Sequence, residues 1–378
     1  MQFKSEYTIQ LNNGHLDLVV EPSVYLMGTL LDFASRENPN RAYLFLSKVL
    51  GKYIPCLPSE MRKTYHALAN MIRVTGNTLV LGVAETATGL GAGVADELSI
   101  NCSGNTFYTQ TTRYGFDKNL AFSITEKHSH APLHLIYDIA DNVDIDSIEN
   151  LILVDDEIST GKTLAQITQG MCNYLPNLKT VTWVSLVNWM SEETHDHLRA
   201  NYAFINLHFH SLLHGEFSFK QSSKKTLKFP KLTAIGLSTV VCRHDTGRRG
   251  VTLETLKNIA FVDENSVPFT GSDLSFDDQY VVIGTGEFTF FPFLFAEKLE
   301  SIGYDVLFES TGRSPILQGG GISSKLKFYD PAHNAYYYLY NLPESRTPIV
   351  MYETMEQFKM CPLHKLLNCK SAILGTSQ

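Results

Sequence analysis

The sequence predicts an α/β fold in which a domain built on a parallel sheet is followed by a second, smaller α/β domain. Short apolar runs alternate with amphipathic helical segments in the first half, and a glycine-rich turn, ATGLGAG, follows the first buried strand. The same strand–helix–strand order recurs once near the C-terminus. This alternation is typical of parallel sheets with right-handed crossovers. We expect domains at residues 1–225 and 251–378, joined by a polar, lysine-containing segment over 226–250.

The elements of both domains follow from the spacing of apolar residues. In the first domain the pattern predicts strands over residues 78–84, 106–112, 133–137, 151–154 and 181–187, with helices starting near residue 93 and spanning 163–175. In the second domain it predicts a strand at 280–283, a helix at 293–301 and a strand at 305–308. A glycine-containing turn, Gly284-Thr285-Gly286, follows the first of these strands, which indicates a Rossmann-like arrangement.

Composition excludes several classes of protein. The 378 residues include 31 Lys and Arg against 39 Asp and Glu, a net charge of −8 that argues against a nucleic-acid partner. No apolar run approaches the roughly 18 residues of a membrane span, and the N-terminus lacks the apolar core of a signal peptide. The six cysteines are scattered, so we expect reduced thiols and a cytoplasmic protein.

Residues 151–163, LILVDDEISTGKT, carry the clearest chemical signal. Four apolar residues predict a buried strand, Asp155 and Asp156 stand at its carboxyl end, and a small, hydroxyl-rich loop opens the next helix. Loop amides at a helix N-terminus suit a phosphate, and Gly161 lets the backbone approach it. The carboxylates suit sugar hydroxyls or a divalent metal met through water. Together these features describe a ribose 5-phosphate site.

The P-loop and the dinucleotide-binding motif, which also contain glycine-rich loops, are each excluded because a position that requires glycine or alanine holds another residue. A P-loop requires glycine five residues before Gly161, and that position holds Asp156. The turn at 85–91 invites a dinucleotide-binding interpretation, but the third glycine position holds Val94 or Asp96. A purely structural strand–helix turn stays open for this second loop.

Residues 151–163 resemble the PRPP-binding motif of type I phosphoribosyltransferases, in which a hydrophobic strand and two acidic residues precede a Thr-Gly-x-Thr ending. Further blocks resemble the orotate-phosphoribosyltransferase-like proteins of bacterial tellurium-resistance and stress gene clusters, namely residues 44–55, 82–91, 126–131 and 185–189. In that group a C-terminal domain named for a Thr-Arg-Ser-Pro motif follows; residues 311–315 read Thr-Gly-Arg-Ser-Pro, with Gly312 in place of the Thr of the name. The resemblance spans roughly residues 30–350 and implies a type I phosphoribosyltransferase-like fold for the first domain.

The resemblance implies a role for each part of the motif. Asp155 and Asp156 would hold the ribose hydroxyls of PRPP and meet Mg²⁺ through water, while the following loop would surround the 5-phosphate. The residues assigned to that loop are Glu157, Ser159, Thr160, Gly161, Lys162 and Thr163. A second loop would meet the pyrophosphate through Glu85, Thr86, Ala87, Thr88 and Gly89.

The family resemblance also implies a mobile hood over residues 112–130. Arg113 is the cation that we expect to meet the pyrophosphate, with a solvated charge as the alternative. His128 and His130 are candidate acid–base groups. With Glu126 and His134 they would supply metal-ligand types, although no closed set of four ligands follows from the spacing.

The acceptor and the second domain are the least constrained parts of the prediction. Asn188 and Trp189 follow the strand at 181–187, where an amide can read a ring edge and an indole can stack on it; a core tryptophan is the alternative. In the second domain Arg313, Ser314 and Arg248 suggest an anion site, with interdomain salt bridges as the alternative.

These observations favour a Mg²⁺-dependent phosphoribosyltransferase that uses PRPP and a nitrogenous, nucleobase-like acceptor to make a nucleotide-like product in a stress- or tellurium-resistance-linked pathway. The alternative is a regulator that senses PRPP without turnover. We expect no nucleic-acid or membrane partner, and the sequence leaves a homodimer open.

Overall fold

The computed structural model describes residues 4–38, 41–125, 133–222, 246–257 and 260–375. Two α/β units, each with its own sheet, follow one another along the chain. The elements of the first half are β1 (Ser5–Leu11), β2 (Gly14–Val20), α1 (Met27–Leu30), β3 (Leu31–Ser35), β4 (Tyr43–Ser47), α2 (Pro58–Ala69), β5 (Thr78–Gly82), α3 (Ala87–Asn101), β6 (Thr106–Gln110), β7 (Leu120–Thr125), β8 (Leu133–Tyr137), a 3₁₀ turn (Ile145–Ser147), β9 (Asn150–Ile158), α4 (Lys162–Tyr174), β10 (Thr180–Asn188), α5 (Glu192–Asn201) and β11 (Asn206–Gln221).

The second half contains β12 (Val251–Thr252), α6 (Leu253–Lys257), β13 (Phe261–Val262), β14 (Gln279–Gly284), α7 (Phe290–Ser301), β15 (Asp305–Ser310), β16 (Lys325–Asp330), β17 (Ala335–Tyr340), β18 (Thr347–Tyr352), α8 (Met355–Met360), α9 (Leu363–Leu367) and β19 (Lys370–Leu374). Among the described residues, no helix has the length and apolar character needed to cross a membrane.

The larger sheet has a parallel centre and reverses its strand order at one point. Its order is β1-β2-β11-β10-β9-β5-β6-β12, and the five strands from β11 to β6 run parallel. The chain passes from β5 to β6 on one side and then returns to β9 on the other side of β5. In open α/β sheets such a reversal opens a crevice at the carboxyl ends of the two diverging strands.

Burial explains why these segments form strands and helices. All five residues of β5 are buried, and β10 is buried over eight consecutive residues, as expected for strands covered on both faces by other elements. In α4 the apolar stripe of Leu164, Ile167 and Met171 is buried, which confirms the predicted helix face.

The smaller sheet repeats the same principle and confirms the prediction of a second α/β unit. Its order is β13-β19-β18-β14-β15, with β19, β18, β14 and β15 parallel, so its order reverses between β14 and β18. The two units pack closely through α2, α3 and α7. Tyr65 of α2 meets Phe293 of α7 edge to face, with ring centroids 5.2 Å apart. Arg62 of α2 pairs with Glu297 of α7 and Asp96 of α3.

Several element boundaries differ from the predicted ones. Strand β9 runs on through the acidic residues to Ile158 because β10 pairs with it along that length. Helix α3 begins at Ala87, within the segment predicted as a loop. Strand β8 lies in a separate two-stranded sheet with β7. The domain boundaries stay a prediction, with the difference that β12 pairs with β6 in the first sheet.

Candidate functional site

A cavity of about 520 Å³ lies at the carboxyl ends of β5 and β9, where the strand order of the larger sheet reverses. Its walls come from residues 83–86 after β5, residues 155–164 of β9 and the following loop, and the hairpin of β3 and β4. Arg113, His134 and the pair Arg313–Ser314 complete the lining. The cavity therefore stands where the fold is expected to bind a ligand.

The loop between β9 and α4 forms one wall of the cavity. Ser159, Thr160, Gly161, Lys162 and Thr163 all line it, as predicted for a phosphate loop. Gly161 has a φ of 69°, and a Cβ built there would lie 2.7 Å from Sδ of Met190 and 3.0 Å from Cζ3 of Trp183. Both the backbone conformation and the close packing therefore require glycine. The amides at the start of α4 follow this turn directly and suit an anion.

Three consecutive acidic residues of β9 line the cavity beside this loop: Asp155, Asp156 and Glu157. Nη2 of Arg41 lies 2.7 Å from Oε1 and 2.5 Å from Oε2 of Glu157, so that carboxylate is held by a cation from outside the β9 segment. Burial, and then the nearby Glu157 carboxylate, raise the pKa of Asp156 to about 6. The Asp156 carboxyl, whose pKa is about 6, therefore titrates closer to neutrality than an ordinary aspartate.

The segment after β5 places a carboxylate among cations. Nζ of Lys52 lies 2.9 Å from Oε1 of Glu85, and the backbone N–H of Arg313 donates to the same oxygen at 3.2 Å. Burial alone would raise the pKa of Glu85, but Lys52, Arg313 and Arg113 outweigh it and hold that pKa below its usual value. Glu85 and Thr86 line the cavity as predicted.

Arg113 also reaches this wall. Its Nη2 donates to the carbonyl oxygen of Ala84 at 3.3 Å, and its backbone N–H donates to Oε1 of Glu287 at 2.7 Å. The peptide bond between Ala84 and Glu85 is cis. A residue of the second unit, Glu287, thus fixes the backbone that carries this arginine.

The last three residues of the predicted pyrophosphate loop do not line the cavity. Ala87, Thr88 and Gly89 form the first turn of α3 and are buried. Thr88 Oγ1 lies 2.9 Å from Oγ1 of Thr289, and a Cβ on Gly89 would lie 2.8 Å from the same oxygen. These residues pack against the second unit, because the helix begins earlier than the glycine pattern predicts.

Asn188 and Trp189 lie in the core and not at the cavity. Asn188 Nδ2 lies 3.0 Å from Nε2 of His195, and its Oδ1 accepts from the backbone N–H of Met190 at 2.9 Å. Trp189 stacks on Phe45 with ring centroids 5.0 Å apart and is 5% exposed. The structure therefore gives both side chains the packing role that was the alternative to acceptor binding.

The three residues of the predicted second-domain anion site do not lie together in the structure. Arg313 and Ser314 line the cavity of the first sheet, which joins them to the candidate PRPP site. Arg248 is buried and lies elsewhere: its guanidinium pairs with Glu353 and, at 3.3 Å, with Glu287. A guanidinium paired with two carboxylates is not available to a further anion. Both carboxylates belong to the second unit, so Arg248 serves buried salt bridges there, and its contact with the first unit is the hydrogen bond from Nε to Oγ1 of Thr112 at 3.3 Å.

The predicted acid–base residues His128 and His130 lie outside the described residues, as does Glu126. His134 is described; it is buried, lines the cavity and has its Nδ1 2.9 Å from Oγ1 of Thr111. Within the described part of the chain, no cluster of three or more His, Cys, Asp or Glu side chains forms a metal site.

Sequence reasoning missed a group of residues from the N-terminal part of the chain. Arg36, Arg41, Tyr43 and Tyr53 line the cavity, yet only the block at 44–55 drew attention to this region. The available signal was a pair of arginines in the turn between two apolar, alternating segments, residues 31–35 and 43–47. The two arginines suggest that the turn of this hairpin faces an anion. The local sequence does not show which surface the hairpin packs against.

Comparison with protein families assigns the chain. Residues 30–216 match the family described as phosphoribosyl transferase, and residues 245–367 match the family described as the TRSP domain C-terminal to it. Together the two matches span most of the chain in the order that the family prescribes. The chain belongs to this phosphoribosyl transferase–TRSP family. It is accordingly a phosphoribosyltransferase, an enzyme of the pentosyltransferase class.

Solved structures with a similar arrangement include two adenine phosphoribosyltransferases. The enzyme from Trypanosoma brucei, in complex with AMP, pyrophosphate and ribose-5-phosphate, is 13% identical, with a TM-score of 0.35 over 55% of this chain and 86% of that chain. The enzyme from Thermoanaerobacter pseudethanolicus is 12% identical, with a TM-score of 0.31 over 49% and 95%. Likenesses this distant carry no argument about function, and no curated protein matches the chain.

Proposed function

We propose that this protein is a Mg²⁺-dependent phosphoribosyltransferase that joins PRPP to a nitrogenous, nucleobase-like acceptor. The observation that supports this most strongly is that one cavity, at the strand-order reversal, is lined by three features. They are the glycine-containing loop at 159–163, a pair of carboxylates, and the segment at Glu85 with its neighbouring arginines. The loop at 159–163 would take the 5-phosphate, Asp155 and Asp156 the ribose hydroxyls, and the segment at Glu85 the pyrophosphate.

The proposed reaction exchanges one bond at the ribose C1 atom for another. The bond from C1 to the pyrophosphate oxygen breaks and its electron pair leaves with pyrophosphate, while the acceptor nitrogen forms the new C1–N bond and loses its proton. Negative charge builds up on the leaving group, and fixed cations stabilise it without reorganisation. Arg113 is the candidate for that role, and the hydrogen bond from its guanidinium to the carbonyl oxygen of Ala84 supports the assignment.

The oxygen donors in the cavity fit a Mg²⁺ ion that arrives with its substrate. Mg²⁺ is usually held by one or two carboxylates together with substrate phosphates and water, without a full protein cage. Glu85, Asp155 and Asp156 supply carboxylates to one cavity, and the described residues contain no separate metal cluster. When bound, the ion would neutralise charge on the leaving pyrophosphate.

The wall formed by β4 supplies a candidate surface for the acceptor. Tyr43 lines the cavity, and Phe45 supports it edge to face with ring centroids 5.7 Å apart. Arg41 lies 5.2 Å from the ring centroid of Tyr43 and pairs with Glu157. An aromatic face beside a paired cation and carboxylate suits a flat ring with hydrogen-bonding edges. The bacterial stress pathway and the cytoplasmic location are proposed from the sequence resemblance alone.

Calorimetry with PRPP tests this proposal. We expect binding that strengthens when Mg²⁺ is added, and a loss of at least 10-fold in affinity for the double variant Asp155→Asn, Asp156→Asn, since hydrogen bonds to charged groups contribute about 1.5–3 kcal/mol each. The matched control is Asp141→Asn with Asp196→Asn, which removes two exposed carboxylates. No heat at millimolar PRPP would contradict the proposal.

A screen for turnover separates the enzyme from a PRPP sensor. Pyrophosphate release from PRPP is measured across purine and pyrimidine bases and small amides, with the double variant as the blank. We expect at least one acceptor to stimulate release. Tight PRPP binding without release for any acceptor would instead favour the sensing role.

A further inference from the structure

The loop after β15 belongs to the second unit but forms part of the wall of the first unit's cavity, through Arg313 and Ser314. We propose that this loop completes the pyrophosphate end of the PRPP site and that Arg313 is a cation that binds the leaving group. This inference rests on the proposed function and extends it: the TRSP domain would be a working part of the transferase site.

Hydrogen bonds fix the loop against the first unit. Nζ of Lys52 donates to the carbonyl oxygen of Thr311 at 2.6 Å, and Oγ of Ser310 donates to the carbonyl oxygen of Gly51 at 3.2 Å. The backbone N–H of Arg313 donates to Glu85 at 3.2 Å. The loop therefore has one defined position relative to the segment proposed to bind pyrophosphate, and Arg313 is preorganised there.

The second unit holds the same loop from behind. Gly312 and Tyr338 exchange two backbone hydrogen bonds of 2.9 and 2.8 Å, and the hydroxyl of Tyr340 donates to the carbonyl oxygen of Ser314 at 2.8 Å. Glu37 of the first unit donates its backbone N–H to the carbonyl oxygen of Pro315 at 2.9 Å. A loop held on both sides needs no contact from the Arg313 side chain to keep its shape.

The polar groups that this loop turns to the cavity lack protein partners. Among the described residues, Arg313 makes a hydrogen bond through its backbone N–H, whereas its guanidinium makes no hydrogen bond and no ion pair. Oγ of Ser314 is likewise buried without a hydrogen-bond partner. By contrast, the guanidinium groups of Arg41, Arg62 and Arg248 all pair with carboxylates. A buried hydroxyl is normally satisfied, and Arg313 is a half-buried cation that lines the cavity without a carboxylate partner of its own. The two groups together therefore indicate an anionic ligand.

The surroundings of Arg313 indicate which part of the ligand it meets. Among the carboxylates, Glu85 has the largest effect on the pKa of Arg313. Lys52, Arg313 and Arg113 in turn all lower the pKa of Glu85. Two of these cations, Arg113 and Arg313, line the cavity beside the segment after β5, while the buried Lys52 pairs with Glu85. The loop at 159–163 instead follows the neighbouring strand β9. A pyrophosphate group, with its several negative charges, suits a pair of arginines, and the forked guanidinium matches its oxygens.

The experiment compares three ligands by calorimetry in the presence of Mg²⁺: PRPP, inorganic pyrophosphate and ribose 5-phosphate. For Arg313→Gln we expect affinities for PRPP and for pyrophosphate to fall about 10- to 100-fold, the usual effect of losing a charged hydrogen bond. The affinity for ribose 5-phosphate, which lacks the pyrophosphate, should stay within about twofold. Ser314→Ala should weaken pyrophosphate binding by a smaller factor, and Arg313→Lys should retain part of the affinity.

Control variants keep the outcomes distinct. Lys327→Gln removes an exposed positive charge from the same unit and should change none of the three affinities. Unchanged pyrophosphate affinity in Arg313→Gln, with an unchanged unfolding temperature, would overturn the inference, and so would equal losses for all three ligands. If the wild-type protein binds none of the three ligands, that result contradicts the proposed function itself, and it is distinguishable from a failure of the inference about Arg313. Should Arg313→Gln not fold, Arg313→Lys and Ser314→Ala supply the same comparison.

Discussion

Nζ of Lys52 lies 2.9 Å from Oε1 of Glu85 and also donates to the carbonyl oxygens of Thr311, at 2.6 Å, and Gly286, at 3.3 Å. One buried ammonium group therefore joins the segment after β4, the segment after β5 and two loops of the second unit. The ammonium makes three hydrogen bonds, one of which is also the ion pair with Glu85, and they satisfy its charge away from water.

Replacing this lysine should destabilise the protein strongly. Lys52→Met keeps the stem but leaves the Glu85 carboxylate buried without its nearest cation, a change that typically costs about 3–5 kcal/mol of unfolding free energy. Urea unfolding measures the loss. The control is Lys48→Met, which removes a single hydrogen bond, 2.8 Å long, to the carbonyl oxygen of Gly28. Equal effects of the two substitutions would contradict the role of the buried ammonium.

Arg248 is a second buried cation whose loss should destabilise the protein. Arg248→Ala would leave two buried carboxylates, Glu287 and Glu353, without their shared cation. We expect a loss of about 3–5 kcal/mol in unfolding free energy. The adjacent Arg249 pairs with the exposed carboxylate of Asp141, so Arg249→Ala should change stability by less than about 1 kcal/mol. A small effect at Arg248 would show that these buried ion pairs do not stabilise the fold.

Asp156 predicts a dependence of stability on pH. Burial, together with the Glu157 carboxylate, raises its pKa from 3.8 to about 6. The folded state therefore favours the protonated form; this contribution is complete below the unfolded-state pKa and is lost as the pH rises through about 6. Asp156→Asn should be more stable than the wild type at about pH 8, by about 1–3 kcal/mol, and the difference should vanish toward about pH 4.

Calorimetric unfolding temperatures without Mg²⁺ or PRPP check this at several pH values. The control is Asp277→Asn, which replaces an exposed carboxyl and should show no such trend. A difference that grew as the pH fell would have the wrong sign. The expected gain in stability at neutral pH, set against the loss of the ribose contact that we propose, would be the usual exchange of stability for function at a binding site.

Local sequence was sufficient to predict the part of the cavity wall that β9, the following loop and the start of α4 form. Residues 155–163 lie together because they are adjacent in the chain, and their apolar and polar pattern reports their surroundings directly. Arg313 reached the same cavity from a distant segment, by packing that no local pattern records. Trp189 failed as an acceptor contact for the same reason, because Phe45, which covers it, comes from a hairpin far away in the chain.

Glycine positions alone did not predict which loop lines the cavity, because glycine occurs both in turns and at sites of close packing. Gly161 forms the turn between β9 and α4, the proposed phosphate loop, through its positive φ. Gly89, in contrast, lies within α3 and allows Thr289 of the second unit to approach. A sequence shows that a side chain is absent, but it does not show which surface uses the space.

Gly161 permits a prediction in which conformation and packing are separated. Gly161→Ala places a Cβ at a φ of 69° and 3.0 Å from Cζ3 of Trp183, a fully buried ring that cannot move aside. Gly303→Ala is the matched control, since it also has a positive φ, 103°, but no atom within 4 Å of the added Cβ. Both changes carry backbone strain of about 1–2 kcal/mol, and Gly161→Ala adds an overpacking cost of about 1–3 kcal/mol. Urea unfolding should show that difference, and calorimetry should show that PRPP affinity falls for Gly161→Ala and not for Gly303→Ala; equal PRPP affinities would contradict the phosphate loop.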